Sequence, residues 1–413
     1  MISLLTLTSV LFFILFLFLF FIFLVYVVSL FRRVVYPPFE PPVTVIIPAY
    51  NEAERIRDCL NAVFASAYPK KRMQVIVVDD GSSDATADIA KSYPSVLLVR
   101  GRHGGKTAAL NLGMKRAKHE YILTIDADTL VDKNCINHLV RPLSDPSIGA
   151  TTGSSRVRNP RSPLTYFQNI EYHYNNLIRR SFSDAFGTGA WFFGALACYK
   201  KEVVRKIGGF KKDTLTEDMD IALELHLAGF RTVHVYDALC LTQVPETLRE
   251  LYNQRSRWWM GVLQALNKNR NLLSKRPPPS IVFLYVNQYW WSVYAFLSVP
   301  VIVYQVLYWL PFNQATGAQT FWYLFRWFTL SGPFYVLYKI PEWGFTFTNA
   351  FGVLSGLISM LLILISIRMF KDRLSLGNLF ALFFYFPYTI ALNTVIAFSL
   401  LIYGFTKKRY FIR

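Results

Sequence analysis

The chain has 413 residues, room for two or three domains, and is 53% apolar and 16% aromatic, with 35 Phe and 24 Tyr. So greasy a composition excludes an ordinary soluble enzyme. The formal net charge of +18, from 44 Lys and Arg against 26 Asp and Glu, comes with no nucleic-acid-reading motif. It fits a membrane protein whose cytoplasmic loops collect Lys and Arg, with no nucleic acid as partner.

Residues 4–30 form an unbroken apolar run, and about 20 such residues span a bilayer. No basic stretch precedes the run and no small-residue cleavage site follows it. It therefore reads as an N-terminal transmembrane helix within residues 1–36 rather than a cleaved signal peptide. Arg32 and Arg33 follow at once, which puts the next domain in the cytoplasm under the positive-inside rule. Pro37, Pro38, Pro41 and Pro42 mark a stiff linker.

From residue 43 the period changes. Short β-rich runs at 43–47, 74–79, 96–100 and 121–126 alternate with helical patterns at 52–67, 84–92 and 106–118. That order predicts an α/β domain over 43–272 with a mostly parallel sheet and sites at the strand C-terminal ends. Amphipathic patterns near 163–181 and 246–268 predict interfacial helices or helices that cover the sheet. Cys59, Cys135, Cys198 and Cys240 are isolated, without zinc-type spacing, and read as small core residues in a reducing compartment.

A transmembrane region over 280–405 follows, with apolar runs at 281–310, 321–338, 351–367 and 374–403. Lys407, Lys408 and Arg409 argue for a cytoplasmic tail, which four spans satisfy. Four spans also put Arg368, Lys371 and Arg373 outside, against the charge rule. Three or four helices are expected, one of them re-entrant or interfacial. Tyr285, Gln288 and Trp291 recur every three residues, with Asn287, Tyr294, Tyr304 and Gln305 nearby. They form either an aromatic and amide path for sugars or a belt with helix–helix hydrogen bonds.

Asp126-Ala127-Asp128 sits where a strand runs out. Two carboxylates one residue apart can hold Mg2+ or Mn2+ and leave room for phosphate oxygens. Asp79-Asp80-Gly81-Ser82-Ser83-Asp84 follows a strand and opens a helix. Ser83 or Asp84 can cap that helix while Asp79 and Asp80 stay free for a base or ribose. Gly104-Gly105-Lys106-Thr107 lacks the first glycine of a phosphate loop, because position 100 is Arg100. Lys106 at a helix N-terminus still makes an anion site for a nucleotide. In Thr216-Glu217-Asp218, Thr216 can cap the next helix, or Asp218 can serve as a general base, worth about 10²–10⁴ in rate. Gln254 and Arg257 lie three apart and can face one site, with Trp258 beside them. A guanidinium suits a departing diphosphate and an indole face suits a sugar ring.

In this order, residues 45–52, the Asp-Asp-Gly-Ser turn, the two-aspartate motif, Thr-Glu-Asp and Gln254-x-x-Arg257-Trp258 resemble the membrane-embedded family-2 inverting glycosyltransferases. These include the processive cellulose, hyaluronan, chitin and poly-N-acetylglucosamine synthases. The resemblance covers about residues 43–270. It implies a GT-A, Rossmann-like nucleotide-sugar-binding catalytic domain on an α-helical transmembrane region. It implies nucleotide-sugar contacts for Ala49, Asn51, Glu52, Asp79, Asp80, Lys106, Asp126, Gln254 and Arg257, and metal ligation by Asp126 and Asp128. Catalysis falls to Asp218, Glu217 and Arg257, and acceptor binding to Phe193, Gly194, Asp218 and Trp258.

Two departures from those relatives, a missing FxVTxK gating motif with no cyclic-nucleotide domain and Thr-Glu-Asp in place of a glycine-containing triplet, tilt toward a poly-N-acetylglucosamine or chitin type. The expectation is a multi-pass plasma-membrane enzyme that uses a UDP-sugar, UDP-GlcNAc or UDP-glucose, to extend a β-linked glycan and translocate it. The alternative is single transfer to a lipid such as a polyprenyl phosphate, ceramide or diacylglycerol. A scaffold that has lost catalysis fits poorly with an intact carboxylate set. The oligomeric state is open.

Overall fold

A computed structural model describes residues 4–32, 34–309, 316–370, 372 and 374–406. Arg33, Lys371, Arg373, Lys407, Lys408, Arg409 and the side chain of Gln305 lie outside the described residues. The elements are α1 (Leu4–Phe31), β1 (Val43–Ala49), α2 (Ile56–Ala65), β2 (Met73–Asp79), α3 (Thr86–Lys91), β3 (Val96–Arg100), α4 (Lys106–Arg116), β4 (Tyr121–Ile125), β5 (Leu130–Val131), α5 (Cys135–Val140), β6 (Ile148–Val157) and α6 (Pro163–Phe186). There follow β7 (Leu196–Lys200), α7 (Lys201–Lys206), α8 (Glu217–Leu227), β8 (Arg231–Thr242), α9 (Leu248–Lys268), α10 (Pro279–Trp309), α11 (Gly317–Trp327), α12 (Ser331–Trp343), α13 (Phe347–Met369), α14 (Leu376–Phe383) and α15 (Tyr385–Thr406).

One eight-stranded sheet has the order β3-β2-β1-β4-β7-β6-β8-β5. Its first half, β3-β2-β1-β4, is parallel as read from the β-α alternation. The second half is mixed: β7 runs antiparallel to both β4 and β6, β8 parallel to β6, and β5 antiparallel to β8. The mostly parallel expectation therefore fails beyond β4, because β7 comes back after the long α6 rather than through a right-handed crossover.

Val43, Val45, Ile46 and Ile47 of β1 are fully buried, as helices on both sheet faces demand. Val45 and Ile47 pack with α2 and α5. Ile46, Ile76 and Val78 point the other way, into a core shared with Leu177 and Phe182 of α6, Phe18 and Ile22 of α1, and Phe283 and Leu284 of α10. The sheet and the apolar helices thus have a common core. The four cysteines are buried and unpaired.

α6 starts at a Ser162/Thr165 capping box with Pro163 in its first turn, and ends at left-handed Gly187 (φ 68°). It covers the sheet, with Asn176 Nδ2 donating to Ser155 O (2.7 Å), and also packs on the apolar helices, Ile170 against Ile363 and Ala381 of α13 and α14. The turn after α13 is tied down as well. Arg156 Nη2 donates to Phe370 O (2.7 Å) and Tyr236 Oη to Met369 O (2.6 Å), and Asp372 accepts from His173 Nε2 (2.7 Å) and Asn169 Nδ2 (3.0 Å).

Among the described residues, three helical stretches are long and apolar enough to cross a membrane: Thr6–Phe31, Phe347–Met369 and Tyr385–Tyr403. The runs at 281–310 and 321–338 are not among the three. α10 has the length and carries Asn287 and Gln288 amid its aromatic residues, and the 281–310 run continues past the described residues. The 321–338 run is divided between α11 and α12, where Pro333 sits in the first turn of the second helix. The run at 374–403 also breaks, at Phe384, ahead of Pro387 in the first turn of α15.

Lys268 at the end of α9 pairs with Asp220 (2.6 Å), Asp213 (2.9 Å) and Glu224 (3.0 Å), locking α9 to α8. Asp220 has only 2% of its side chain exposed, so losing the ammonium strands a buried carboxylate. Lys268→Met should lower stability by about 2 kcal/mol, after discount for the lysine's partial exposure. In thermal unfolding, adding Asp220→Asn should recover part of the loss.

Candidate active site

The parallel strands end level with one another: Ala49 is in register with Asp79, and Asp79 with Arg100. Past β4 the chain turns sharply, with Asp126 N–H donating to Ala195 O (3.1 Å) and Thr129 N–H to Asp126 O (3.0 Å). On the antiparallel side, Asp218 in the first turn of α8 accepts Gly194 N–H on Oδ2 (2.8 Å) and Met219 N–H on Oδ1 (2.8 Å). Gly194 has no room for a side chain, since a Cβ there would lie 2.6 Å from Asp218 Oδ2. Lys106 Nζ sits 2.6 Å from Asp126 Oδ1 and 3.3 Å from Glu217 Oε1. One ammonium joins the two acidic motifs.

The electrostatics follow from that crowding. Burial raises the Asp218 carboxyl to about 6, helped by the charge of Glu217 and opposed by Lys106 and the two N–H donors. Burial, then Asp126 and Glu52, raise Asp128 to about 6 as well. Burial also works against the charge on Glu217, but Lys106 outweighs it and holds that carboxyl below its ordinary range. Burial opposes the Lys106 charge in turn, yet Asp126 and Glu217 keep it protonated well above a normal lysine.

The Asp79-Asp80 pair departs from expectation, because neither carboxylate is free. Asp79 Oδ1 accepts Ser82 N–H (3.1 Å). Asp80 accepts Gly104 N–H (3.0 Å) and Gly105 N–H (2.8 Å) and lies 3.1 Å from His103 Nδ1. Both side chains are buried. The same bonds use up the backbone donors of the glycine turn, so Lys106, rather than the turn, carries the positive charge of that site.

Asn51, at φ 53°, is one of two non-glycine residues with positive φ among the described residues. Its Oδ1 accepts Ser83 N–H (2.9 Å) and its N–H donates to Ser82 Oγ (3.0 Å), which offsets the strain of the left-handed backbone. Glu52 pairs with Arg55 (3.0 Å), and Ala49 O accepts Asp80 N–H (2.9 Å). Asp84 Oδ1 accepts Thr86 N–H (3.0 Å), but Ala85 is the N-cap of α3 and no side chain caps it, so neither Ser83 nor Asp84 takes the expected cap. Thr216 does not cap α8: no side-chain bond is made there, and its Oγ1 is buried without a partner against Gly261 of α9.

α9 begins with a Thr247/Glu250 capping box and carries Gln254, Arg257 and Trp258. Between them, Arg255 was not foreseen. Its Nη2 donates to Glu171 Oε2 of α6 (2.9 Å), its Nη1 to Gln254 Oε1, and its guanidinium lies over the Trp258 ring at 4.5 Å. Tyr388 of α15 hydrogen-bonds the same Glu171 oxygen, and Ser399 Oγ donates to Ser256 Oγ (2.7 Å). Three helices thus hold Gln254 and Trp258 in place. A basic residue inside the motif was legible; its carboxylate partner Glu171, 84 positions away, was not.

Lys106, Asp126, Asp128, Phe193, Gly194, Glu217, Asp218, Gln254, Arg257 and Trp258 all line one cavity of about 2050 Å³. It continues between α1, α10, α13 and α15 past Thr8, Trp291, Asn349 and Asn393. Asn287, Gln288, Trp291 and Tyr294 of the expected sugar path line it too. Tyr285 does not, because its buried hydroxyl donates to Leu266 O (3.0 Å) and Asn269 O (2.9 Å); nor does Tyr304, which is exposed. Ala49, Asn51, Glu52, Asp79 and Asp80 form a separate group at the β1 and β2 ends, outside the cavity lining.

Among the described residues no group of three or more His, Cys, Asp and Glu is placed to cage a metal. The Asp128 carboxylate accepts a single hydrogen bond, from Thr129 Oγ1 (3.2 Å). Its crowded negative surroundings and hard oxygen donors fit a divalent cation that brings further oxygen ligands with it.

Residues 41–261 match the sequence model of a family described as "Glycosyltransferase like family 2". Over 230 residues the chain is 37% identical to a poly-beta-1,6-N-acetyl-D-glucosamine synthase of Staphylococcus aureus (strain COL), covering 54% of the chain and 55% of the relative. It is 35% identical over 230 residues to a Staphylococcus epidermidis protein of the same name. The chain spans about half the length of these curated relatives. A mannosyltransferase from Pyrobaculum calidifontis, solved with GDP-Man and Mn2+, superposes with a TM-score of 0.58 at 24% identity, over 86% of this chain and 99% of the other; that likeness is one of fold.

Arg255 and Glu171 are both nearly buried, with 8% and 13% of their side chains exposed. Arg255→Met should cost about 3 kcal/mol by leaving the Glu171 charge with only the Tyr388 hydroxyl beside it. The Arg255→Met/Glu171→Gln double variant should lose less than the sum of the singles in a thermal-unfolding cycle.

Proposed function

The chain belongs to glycosyltransferase-like family 2 and is a glycosyltransferase; from that premise we propose that it builds a β-linked polysaccharide at a membrane from a UDP-sugar. UDP-GlcNAc is favoured by the sequence relatives. The observation that carries the reading is the single cavity in which Asp218, fixed by Gly194 N–H, shares space with the Lys106-bridged carboxylates and opens toward the apolar helices.

Asp218 takes the proton of the acceptor hydroxyl. The freed oxygen attacks the anomeric carbon from the face opposite the diphosphate, the carbon–oxygen bond to the diphosphate breaks, and an α-linked donor gives a β-linked product. Its carboxyl, raised to about 6, is mostly ionised at neutral pH yet close enough to serve as an efficient base. Glu217 and Lys106 set the charge around it. The Arg257 guanidinium, which has no hydrogen-bond or ion-pair partner among the described residues, receives the departing diphosphate with Gln254. Trp258, braced by Arg255, offers an indole face to the acceptor sugar.

Asp126 and Asp128 would hold Mg2+ or Mn2+, which neutralises charge on the diphosphate when bound. Asn51, Glu52, Asp79 and Asp80 shape the β1 and β2 ends for the nucleoside, the two aspartates through the backbone they hold. The polar residues along α10, α13 and α15 form the exit path of the growing chain. The catalytic part faces the cytoplasm, where the UDP-sugar is found.

Asp218→Asn should keep UDP binding and lose sugar transfer by at least about 10²-fold, measured by calorimetry and by radiolabelled product. Near-normal turnover would remove the base. Because the carboxylate is the active form, kcat of the wild type should fall as pH drops through about 6, tenfold per pH unit well below it. A profile flat down to pH 5 would contradict the assignment.

A further inference from the structure

Among the described residues, five cationic side chains line the cavity: Lys106, Arg179, Arg255, Arg257 and Arg326. The protein itself satisfies three. Lys106 has Asp126 and Glu217, Arg255 has Glu171 and Gln254, and Arg326 Nε donates to Trp322 O (3.0 Å). The guanidinium groups of Arg257 and Arg179 have no hydrogen-bond or ion-pair partner among the described residues. Arg257 has a place in the reaction, beside Glu217 whose charge it stabilises. Arg179 has none so far.

Its position is defined by its neighbours. Arg179 lies on α6, with its guanidinium carbon 5.3 Å from the centre of the Phe193 ring. Phe193 precedes Gly194, whose N–H holds Asp218. The carboxylates whose charge reaches Arg179 are Asp218 and Glu171, neither within ion-pair distance, and Glu171 is already committed to Arg255. Burial disfavours the Arg179 charge, and an aromatic face is a weak counterpart for it. An unpaired, partly desolvated cation is costly to maintain, so its place beside the base needs a ligand that supplies the missing oxygen.

We propose that Arg179 is an acceptor-side selectivity residue: its guanidinium receives a neutral or anionic oxygen-bearing substituent on the acceptor's terminal ring and turns away an ammonium-bearing one. The inference rests on the reading of Asp218 as the base that meets that ring. Arginine's planar fork suits an amide carbonyl or a carboxylate, whereas a second cation in the same pocket meets like-charge repulsion in a low-dielectric setting.

The test uses the full chain in lipid nanodiscs with UDP-sugar and three short glycan acceptors. They differ only in one substituent of the terminal ring: acetamide, free amine or carboxylate. Acceptor-stimulated UDP release is measured at pH 7. The wild type should respond to the amine at least about tenfold less than to the acetamide or carboxylate. Arg179→Glu should invert the order of amine and carboxylate, and Arg179→Gln should flatten it, with UDP binding unchanged in both as the check on folding. An unchanged rank order in either UDP-binding variant would overturn the proposal. A wild type that responds to none of the three would overturn it together with the glycan-acceptor reading, whereas loss of transfer in Asp218→Asn with an unchanged rank order in Arg179→Glu would leave that reading standing alone.

Discussion

The Lys106 ammonium between Asp126 and Glu217 is the contact on which the site depends. Asp126 and Asp128 sit at the end of a parallel strand, Glu217 and Asp218 at the start of a helix some 90 residues later. Four carboxylates brought into one partly desolvated hollow repel one another unless a cation stands among them. A half-buried lysine supplies that charge permanently, and the uneven result is useful. Glu217, next to the ammonium, stays ionised; Asp218 and Asp128, farther from it, are pushed up toward neutrality. Environment, rather than residue type, separates a carboxylate held charged from the one proposed as the base.

The second constraint is the core shared by sheet and apolar helices. Ile46 and Ile76 of the sheet belong to the same packed cluster as Phe18 and Ile22 of α1 and Phe283 of α10. Glu171, Arg255 and Tyr388 extend that union to the polar residues at the site. An interior of this density transmits displacement rather than absorbing it. A shift of α15 therefore reaches Gln254 and Trp258, and the cavity can run without interruption from the carboxylates to the bilayer-facing helices.

Much of this was legible in the sequence, for physical reasons. The parallel strands are short apolar runs separated by amphipathic helices, and their acidic ends stand at fixed places, so Asp126, Asp128 and Asp218 could be named before any fold was seen. What was not legible depended on contacts between distant segments. The antiparallel return of β7 has no local signature. Asp79 and Asp80 looked free because their partners, Ser82 N–H and the N–H groups of Gly104 and Gly105, are backbone donors that any sequence supplies. The breaks between α11 and α12 and between α14 and α15 were hidden by uniform apolarity. Arg179 and Arg255 were passed over because one has no hydrogen-bond or ion-pair partner among the described residues and the other has its carboxylate partner, Glu171, far along the chain.

The central claim is that one cavity joins the carboxylate cluster to an exit between apolar helices, and so makes a polymer rather than a single bond. Purified protein in proteoliposomes, given each of a panel of radiolabelled UDP-sugars, tests it most directly when the products are sized and digested with linkage-specific glycosidases. The account predicts a long chain from one donor, UDP-GlcNAc first among them, cleaved only by β-specific enzymes. A product that stops at one sugar on a lipid, or that yields to α-specific cleavage, would contradict it.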